Sequence, residues 1–363
     1  MPRIRAGRVA CLGVALAVAA SCSGCTPSAA PERPRVSADE LRADITAHLV
    51  DPRLDTVRAV IVMVGDRTLV EEYVDSDAAD YRNIFSVTKS VLSTLVGIAV
   101  DDGLLDLDGT LAELLPAYAG SMSPQVGGTT LEQLLTMTGG FPDTWFGSDG
   151  GVFEQPDWVA ACLQSAVRPP GETFAYSDPG VHLVGAVLAQ ATGRPVLQYA
   201  REVLFGPLGI DTELAAEPLA VPASLPAYDA AGFAWPVDPQ GIHTGFSYLK
   251  IRPRDMAVFG SLHLHEGRWG GEQVVSEEWL HAATTAQVSA RGAAGDYGYL
   301  WWVGEADDSP AYMAVGYGGQ LVEVVPDRDL VVVVATEVGN HAVVGHGDLT
   351  DLVDSVIAPA VDG

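Results

Sequence analysis

Positive charge is what this sequence has least of. It carries 20 Lys and Arg against 47 Asp and Glu, a formal net charge of -27, and only two of its cations are lysines, Lys89 and Lys250. A surface of that sign repels phosphate backbones and anionic lipid headgroups, which excludes nucleic-acid binding and a polybasic membrane contact. Charge of both signs is modest at 18% of residues against 48% hydrophobic, so the chain can build a packed core and lacks the composition of a disordered one. Cysteine is nearly as scarce, with four in 363 residues. No Gly-x-Ser-x-Gly elbow occurs, which speaks against an α/β-hydrolase, and no internal repeat is present.

An apolar run of membrane-spanning length is also missing. The run Val9–Ala20 follows Arg3, Arg5 and Arg8 and is too short for a bilayer, so residues 1–24 read as a secretory signal peptide. Its end, Ser23-Gly24-Cys25, resembles a bacterial lipobox, with Cys22 where an aliphatic residue is usual. Cys25 is the expected lipid acceptor and Cys22 the second candidate, with plain cleavage near Ala20 and secretion as the alternative. The protein is therefore expected to be exported, as a cell-envelope lipoprotein that meets the membrane only through an N-terminal lipid anchor. Cys11 and Cys22 leave with the signal and Cys25 carries lipid, which leaves Cys162 unpaired and the fold without need of a disulfide. Residues 25–36, with Pro27, Pro31 and Pro34, have the composition of a flexible tether.

Residues 37–363 read as one domain. Ser37 with Glu40 makes a capping box for a helix to Leu49, and the β-rich runs Arg58–Val64 and Thr68–Val74 flank a turn at Gly65-Asp66-Arg67. From Ser86 to Val100 apolar residues recur at helical spacing, and Gly103 supplies a stop. Residues of about 104–250 give short helices and Gly/Pro-rich loops, including Thr130–Met137 and His182–Ala191, followed by a helix at Arg252–Gly260. The last third turns to strands, Tyr297–Val303, Tyr312–Val315, Leu321–Val325 and Leu330–Ala335, before a closing helix at Asp348–Ile357. Strands at both chain ends predict an α/β (α+β) fold, an antiparallel sheet assembled from the two termini and flanked by helices, with a mainly helical subdomain inserted.

The chemistry-bearing motif is Ser86-x-x-Lys89 at the head of a helix, where i and i+3 put hydroxyl and ammonium on one face. A serine hydroxyl needs a neighbouring base, and a helix start offers free N–H groups to a developing oxyanion. The bland alternative is a surface N-cap with a solvated lysine. The motif does not stand alone. Phe85–Ser90, Gly97–Asp108, Leu131–Thr138, Tyr176-Ser177-Asp178, Arg254-Asp255 and Tyr297–Trp302 together resemble, in order and across about residues 55–340, the serine β-lactamase and penicillin-recognising superfamily. The likeness is to its class C-like branch of esterases, peptidases and 6-aminohexanoate-dimer hydrolases, and it implies a β-lactamase/transpeptidase-like fold over residues 37–363.

That resemblance implies an acyl-enzyme mechanism without cofactor or metal. Ser86 would be the nucleophile and Tyr176 the base that later protonates the leaving group, with Lys89 favouring the phenolate. Asp178 stands where the branch often has Asn. A carboxylate there keeps Lys89 charged, and it cannot donate to an amide substrate, although Asp178 remains a candidate substrate contact. The branch's third motif, Lys-Thr-Gly or His-Thr-Gly, would be Ala314-Val315-Gly316 on the strand Met313–Pro326, or a register shifted by one or two residues among its glycines, with the Tyr317 N–H joining that of Ser86 in the oxyanion hole and Gly316 and Gly318 against substrate. His243-Thr244-Gly245 precedes the Arg252–Gly260 helix, out of chain order, and reads as a decoy.

No cation occupies the third motif, which removes a charge-assisted bond to a substrate carboxylate and favours esters or small amides. The alternatives are a β-lactamase or D-alanyl-D-alanine carboxypeptidase on the same nucleophile, or a non-catalytic binding lipoprotein of the envelope. Trp145 and Phe146 are expected to line the cleft, while Trp158 and the aromatics of Tyr297–Trp302 are expected to pack in core and strand. His263-x-His265-Glu266 is read as a solvated helix end, not a metal site.

Overall fold

The structure is a computed structural model that describes residues 36–142, 151–213, 225–290, 295–338 and 344–361. The signal with Cys22, tether residues 25–35 with Cys25, and Trp145 and Phe146 lie outside the described residues. At the start of the described chain the capping box forms: Ser37 Oγ accepts the Glu40 N–H at 3.2 Å and the Glu40 carboxylate accepts the Ser37 N–H at 2.9 Å. Two of the orphan donors at the helix start are thereby satisfied.

Seven strands form one sheet: β1 Val57–Val64, β2 Arg67–Tyr73, β3 Asp296–Tyr297, β4 Trp302–Ala306, β5 Ser309–Gly316, β6 Gln320–Val325 and β7 Leu330–Thr336. Their order is β2-β1-β7-β6-β5-β4-β3, antiparallel throughout. The N-terminal hairpin joins the C-terminal strands along β1 and β7, from Val57 opposite Thr336 to Val64 opposite Leu330. The sheet is thus assembled from both ends of the chain, as the sequence predicts.

Helices that matter for the site are α1 Ala38–His48, α2 Val87–Asp101, α3 Asp178–Thr192, α4 Pro253–Leu264 and α5 His346–Leu352, the last continued by a wider turn to Ile357. Period-two alternation splits the strands between two cores. Ile61, Val322, Val331 and Val333 face α2 and α4, whereas Val60, Val62, Val332 and Val334 face α1 and α5. β7 is buried at every position because both its faces are covered, so it reads as a continuous apolar run. A Cβ at Gly260 would lie 2.6 Å from Val331 Cγ1, so only glycine lets α4 come this close to the sheet.

The expected strand Tyr297–Val303 is broken in two. A Cβ at Gly298 would sit 2.0 Å from the Ala283 carbonyl, and Leu300 has a φ of 60° with its N–H on the Leu135 carbonyl at 3.0 Å. Ser90 and Ser93 of α2 hold the intervening bend by donating to the carbonyls of Leu300 and Tyr299 at 2.8 and 2.6 Å. Helix α3 starts at Asp178, earlier than periodicity suggests, because Ser177 caps it by accepting the Gly180 N–H and Pro179 suits its first turn. His263 is not solvated: it is 2% exposed, bonded to the Phe259 carbonyl and to Thr94 Oγ1, and burial pulls its imidazole down to about 4.

Glu323 of β6 is buried, with Met313 and Val332 as its cross-strand neighbours. Burial, with a smaller push from the Asp354 charge, raises its carboxyl to about 8 from an ordinary 4.5. The folded protein therefore binds a proton that the unfolded chain releases. Its contribution is whole below about 4.5 and is lost as pH rises through about 8. Thermal midpoints across that window should fall more steeply for the wild type than for Glu323→Gln, and parallel curves would show that Glu323 is ionised in the fold.

Candidate active site

The segment before α2 is tightly held. Ile84 donates its N–H to the Leu249 carbonyl at 3.0 Å, and Asn83 Oδ1 accepts the Phe85 N–H at 2.9 Å. Between them the chain is bent: Phe85 has a φ of 46°, a left-handed conformation that a side chain adopts only at a cost of about 1–3 kcal/mol. Ser86 follows as the N-cap of α2, and no acceptor for its backbone N–H occurs among the described residues. Lys89 comes one turn later, so the helix delivers both residues of the motif to one face.

Lys89 is 1% exposed, and its ammonium has a partner for each proton. Nζ lies 2.8 Å from Ser86 Oγ, 2.8 Å from the Phe246 carbonyl and 2.7 Å from Asp178 Oδ1. It also sits 4.8 Å from the centre of the Tyr176 ring. Burial alone would lower its pKa, but the charge of Asp178 and the Tyr176 hydroxyl outweigh that and hold the ammonium above its ordinary value. Asp178 gains in turn from its place in the first turn of α3, where the helix dipole favours a carboxylate.

A cleft of about 360 Å³ opens at this point, lined among others by Ser86, Tyr176, Trp302, Gly316, Tyr317 and His346. Two larger hollows, of about 690 Å³ beside Ser37 and Arg328 and 740 Å³ beside Trp269, contain none of these groups. Trp302, expected to be strand packing, instead lies parallel to Tyr176 with ring centres 5.8 Å apart and forms the cleft wall. Trp158 is fully buried core. Phe85 and Tyr317 meet edge-on at 5.7 Å on the rim.

The structure brings Ser86, Lys89 and Tyr176 together, and Gly316, Tyr317 and Gly318 line the same cleft. Asp178 turns its carboxylate to Lys89, as its charge predicts, and is not part of the cleft lining, so it is not placed as a substrate contact. His243-Thr244-Gly245 belongs to a buried loop, in which Thr244 binds the carbonyls of Pro236 and Ser247. That loop still serves the site, since it presents the Phe246 carbonyl to Lys89. Sequence reading missed this carbonyl and His346, for neither carries a motif. No Lys or Arg lines the cleft among the described residues. Replacing Asp178 by Ala would leave a buried ammonium uncompensated, and urea unfolding should show a loss of about 3–5 kcal/mol; a loss below about 1 kcal/mol would mean that Asp178 does not balance Lys89.

Comparison with known proteins places this geometry in context. The chain is 27% identical to penicillin-binding protein 4 of Amycolatopsis lactamdurans, covering 70% of this chain and 71% of that protein. It is 22% identical to a 6-aminohexanoate-dimer hydrolase of Paenarthrobacter ureafaciens, covering 84% and 79% respectively. The crystal structure of a family VIII carboxylesterase shares the fold with a TM-score of 0.66 at 18% identity, covering 88% of this chain and 96% of that one. The beta-lactamase family model matches residues 47–352, and the chain belongs to that family of hydrolases.

Proposed function

We propose that this protein is an exported serine hydrolase that cleaves carboxylic esters or small amides through an acyl-enzyme on Ser86. The observation that carries the reading is the buried ammonium of Lys89, held between Ser86 Oγ and Asp178 behind the cleft wall. All three of its protons are engaged, so it has no lone pair to act as base. Tyr176, whose ring centre lies 4.8 Å from the ammonium and which lines the cleft beside Ser86, is then the group that takes the proton.

In the first half-reaction Ser86 Oγ bonds to the substrate carbonyl carbon while its proton passes to Tyr176. The carbonyl oxygen becomes an oxyanion that the N–H groups of Ser86 and Tyr317 stabilise. Collapse breaks the bond to the leaving alcohol or amine, which receives the proton from Tyr176. Water then repeats the sequence on the acyl-Ser86 ester and releases the acid.

The absence of a cation from the described cleft lining favours substrates without a carboxylate beside the scissile bond. Such an anion would forgo a charge-assisted hydrogen bond of roughly 1.5–3 kcal/mol. The ester and amide hydrolases among the relatives support this class, while the penicillin-binding relative supports the rival, a β-lactamase or D-alanyl peptidase. A non-catalytic envelope binding protein is the remaining rival. The charged residues before Val9–Ala20 and the lipobox-like Ser23-Gly24-Cys25 support export with lipid on Cys25.

Ser86→Ala should abolish turnover of p-nitrophenyl butyrate and labelling by a fluorophosphonate, with the wild type hydrolysing that ester at least about tenfold better than a chromogenic cephalosporin. Residual ester turnover in Ser86→Ala would overturn the nucleophile, a preference for the cephalosporin would overturn the substrate class, and an unlabelled wild type would point to a binding protein. Cys25→Ala should move the protein from the membrane fraction to the soluble one; unchanged partition would remove the anchor.

A further inference from the structure

The turn that carries Tyr317 has little to hold it in place by itself. Gly316 of β5 pairs with Gln320 of β6, and the connecting residues Tyr317, Gly318 and Gly319 include two glycines with φ of 83° and 98°. Within the turn there is one long backbone bond, from the Gly319 N–H to the Gly316 carbonyl at 3.3 Å. Glycine loses more freedom on folding than any other residue, so such a turn wanders unless something outside fixes it.

Two buried polar side chains supply that support. The β6–β7 ladder ends at Leu321 opposite Val334, and beyond it the Gln320 side chain acts as a substitute strand for Thr336. Gln320 Oε1 accepts the Thr336 N–H at 3.2 Å, and Gln320 Nε2 donates to the Thr336 carbonyl at 3.2 Å and to Thr336 Oγ1 at 2.5 Å. Thr336 Oγ1 then donates its single proton to the Gly318 carbonyl at 2.7 Å. The direction of every bond is forced, since Gly318 can only accept. Gln320 is 0% and Thr336 3% exposed, so water cannot take over either role.

The turn is fixed on its other side by contact. A Cβ at Gly316 would lie 2.4 Å from the Ile84 carbonyl, two residues before Ser86. One end of the turn therefore rests on the segment that carries the nucleophile, and the middle is tied to the centre of the sheet. We propose that Gln320 and Thr336 are positioning residues that set the Tyr317 N–H at the distance from the Ser86 N–H that the oxyanion requires. This rests on the reading of Ser86 as nucleophile and Tyr317 as oxyanion donor given above.

The experiment compares Thr336→Val, which keeps the shape and removes the hydroxyl, with Thr336→Ser, which keeps the hydroxyl. Each is assayed on p-nitrophenyl butyrate and for inhibition by phenylboronic acid, which forms a tetrahedral adduct on an active-site serine. Thr336→Val should lower kcat about 10- to 100-fold with KM within about twofold, and weaken the boronate by a similar factor, because both depend on the oxyanion donors. Thr336→Ser should restore both to within about threefold. Unchanged kcat and boronate affinity in Thr336→Val would overturn the proposal. So would a loss shared equally by Thr336→Ser, or a loss of kcat without weaker boronate binding, since either marks a general effect on the fold. If the wild type resists the boronate and Ser86→Ala remains active, the failure lies with Ser86 and not with the positioning pair.

Discussion

A lysine ammonium removed from water has to be compensated on every side, and at Lys89 that requirement ties distant parts of the chain to one point. Helix α2 brings the ammonium and Ser86, the loop through Phe246 brings a carbonyl, and the start of α3 brings the Asp178 carboxylate. Lys89 would be a buried charge without compensation if these partners moved away. The charge thus orders the site and also keeps the Ser86 hydroxyl 2.8 Å from the ammonium. The protein's second lysine, Lys250, is also buried, and donates to the carbonyls of Tyr228, Asp229 and Ala231. Both lysines serve the interior, which leaves arginine as the basic residue of an otherwise acidic surface.

The sheet supplies the rigid platform on which this point is built. Its central strands are covered on both faces, so β6 and β7 cannot shift without disturbing two cores at once. The turn after β5 extends from that platform towards Ser86, which approaches it from α2. The proposed nucleophile and oxyanion donors therefore lie where helix and sheet meet, each fixed by its own layer. The left-handed Phe85 marks the place where the chain is bent to achieve this.

The character of the cleft follows from what lines it. Trp302 and Tyr176 form an aromatic wall, and no Lys or Arg lines it among the described residues. An aromatic lining with no described cation is what supports the proposed preference for uncharged substrates.

Local and periodic features were legible in the residues alone. The capping box at Ser37, the helical spacing of Ser86 and Lys89, and the β-rich runs at both chain ends depend on neighbours a few positions apart, and they give the sheet, its flanking helices and the shared helix face of Ser86 and Lys89. What depends on contacts across the fold was not legible. The break at Gly298–Trp301 arises because the Ala283 carbonyl leaves no room for a Cβ, and Trp302 becomes a cleft wall only because the bend turns it onto Tyr176. The Phe246 carbonyl at Lys89 and the Gln320–Thr336 clamp join residues far apart in the chain, whereas the Asp178 carboxylate beside Lys89 was legible from its motif. Sequence spacing encodes which groups can share a helix face; which buried charge meets which partner is decided only when the layers pack and water is excluded.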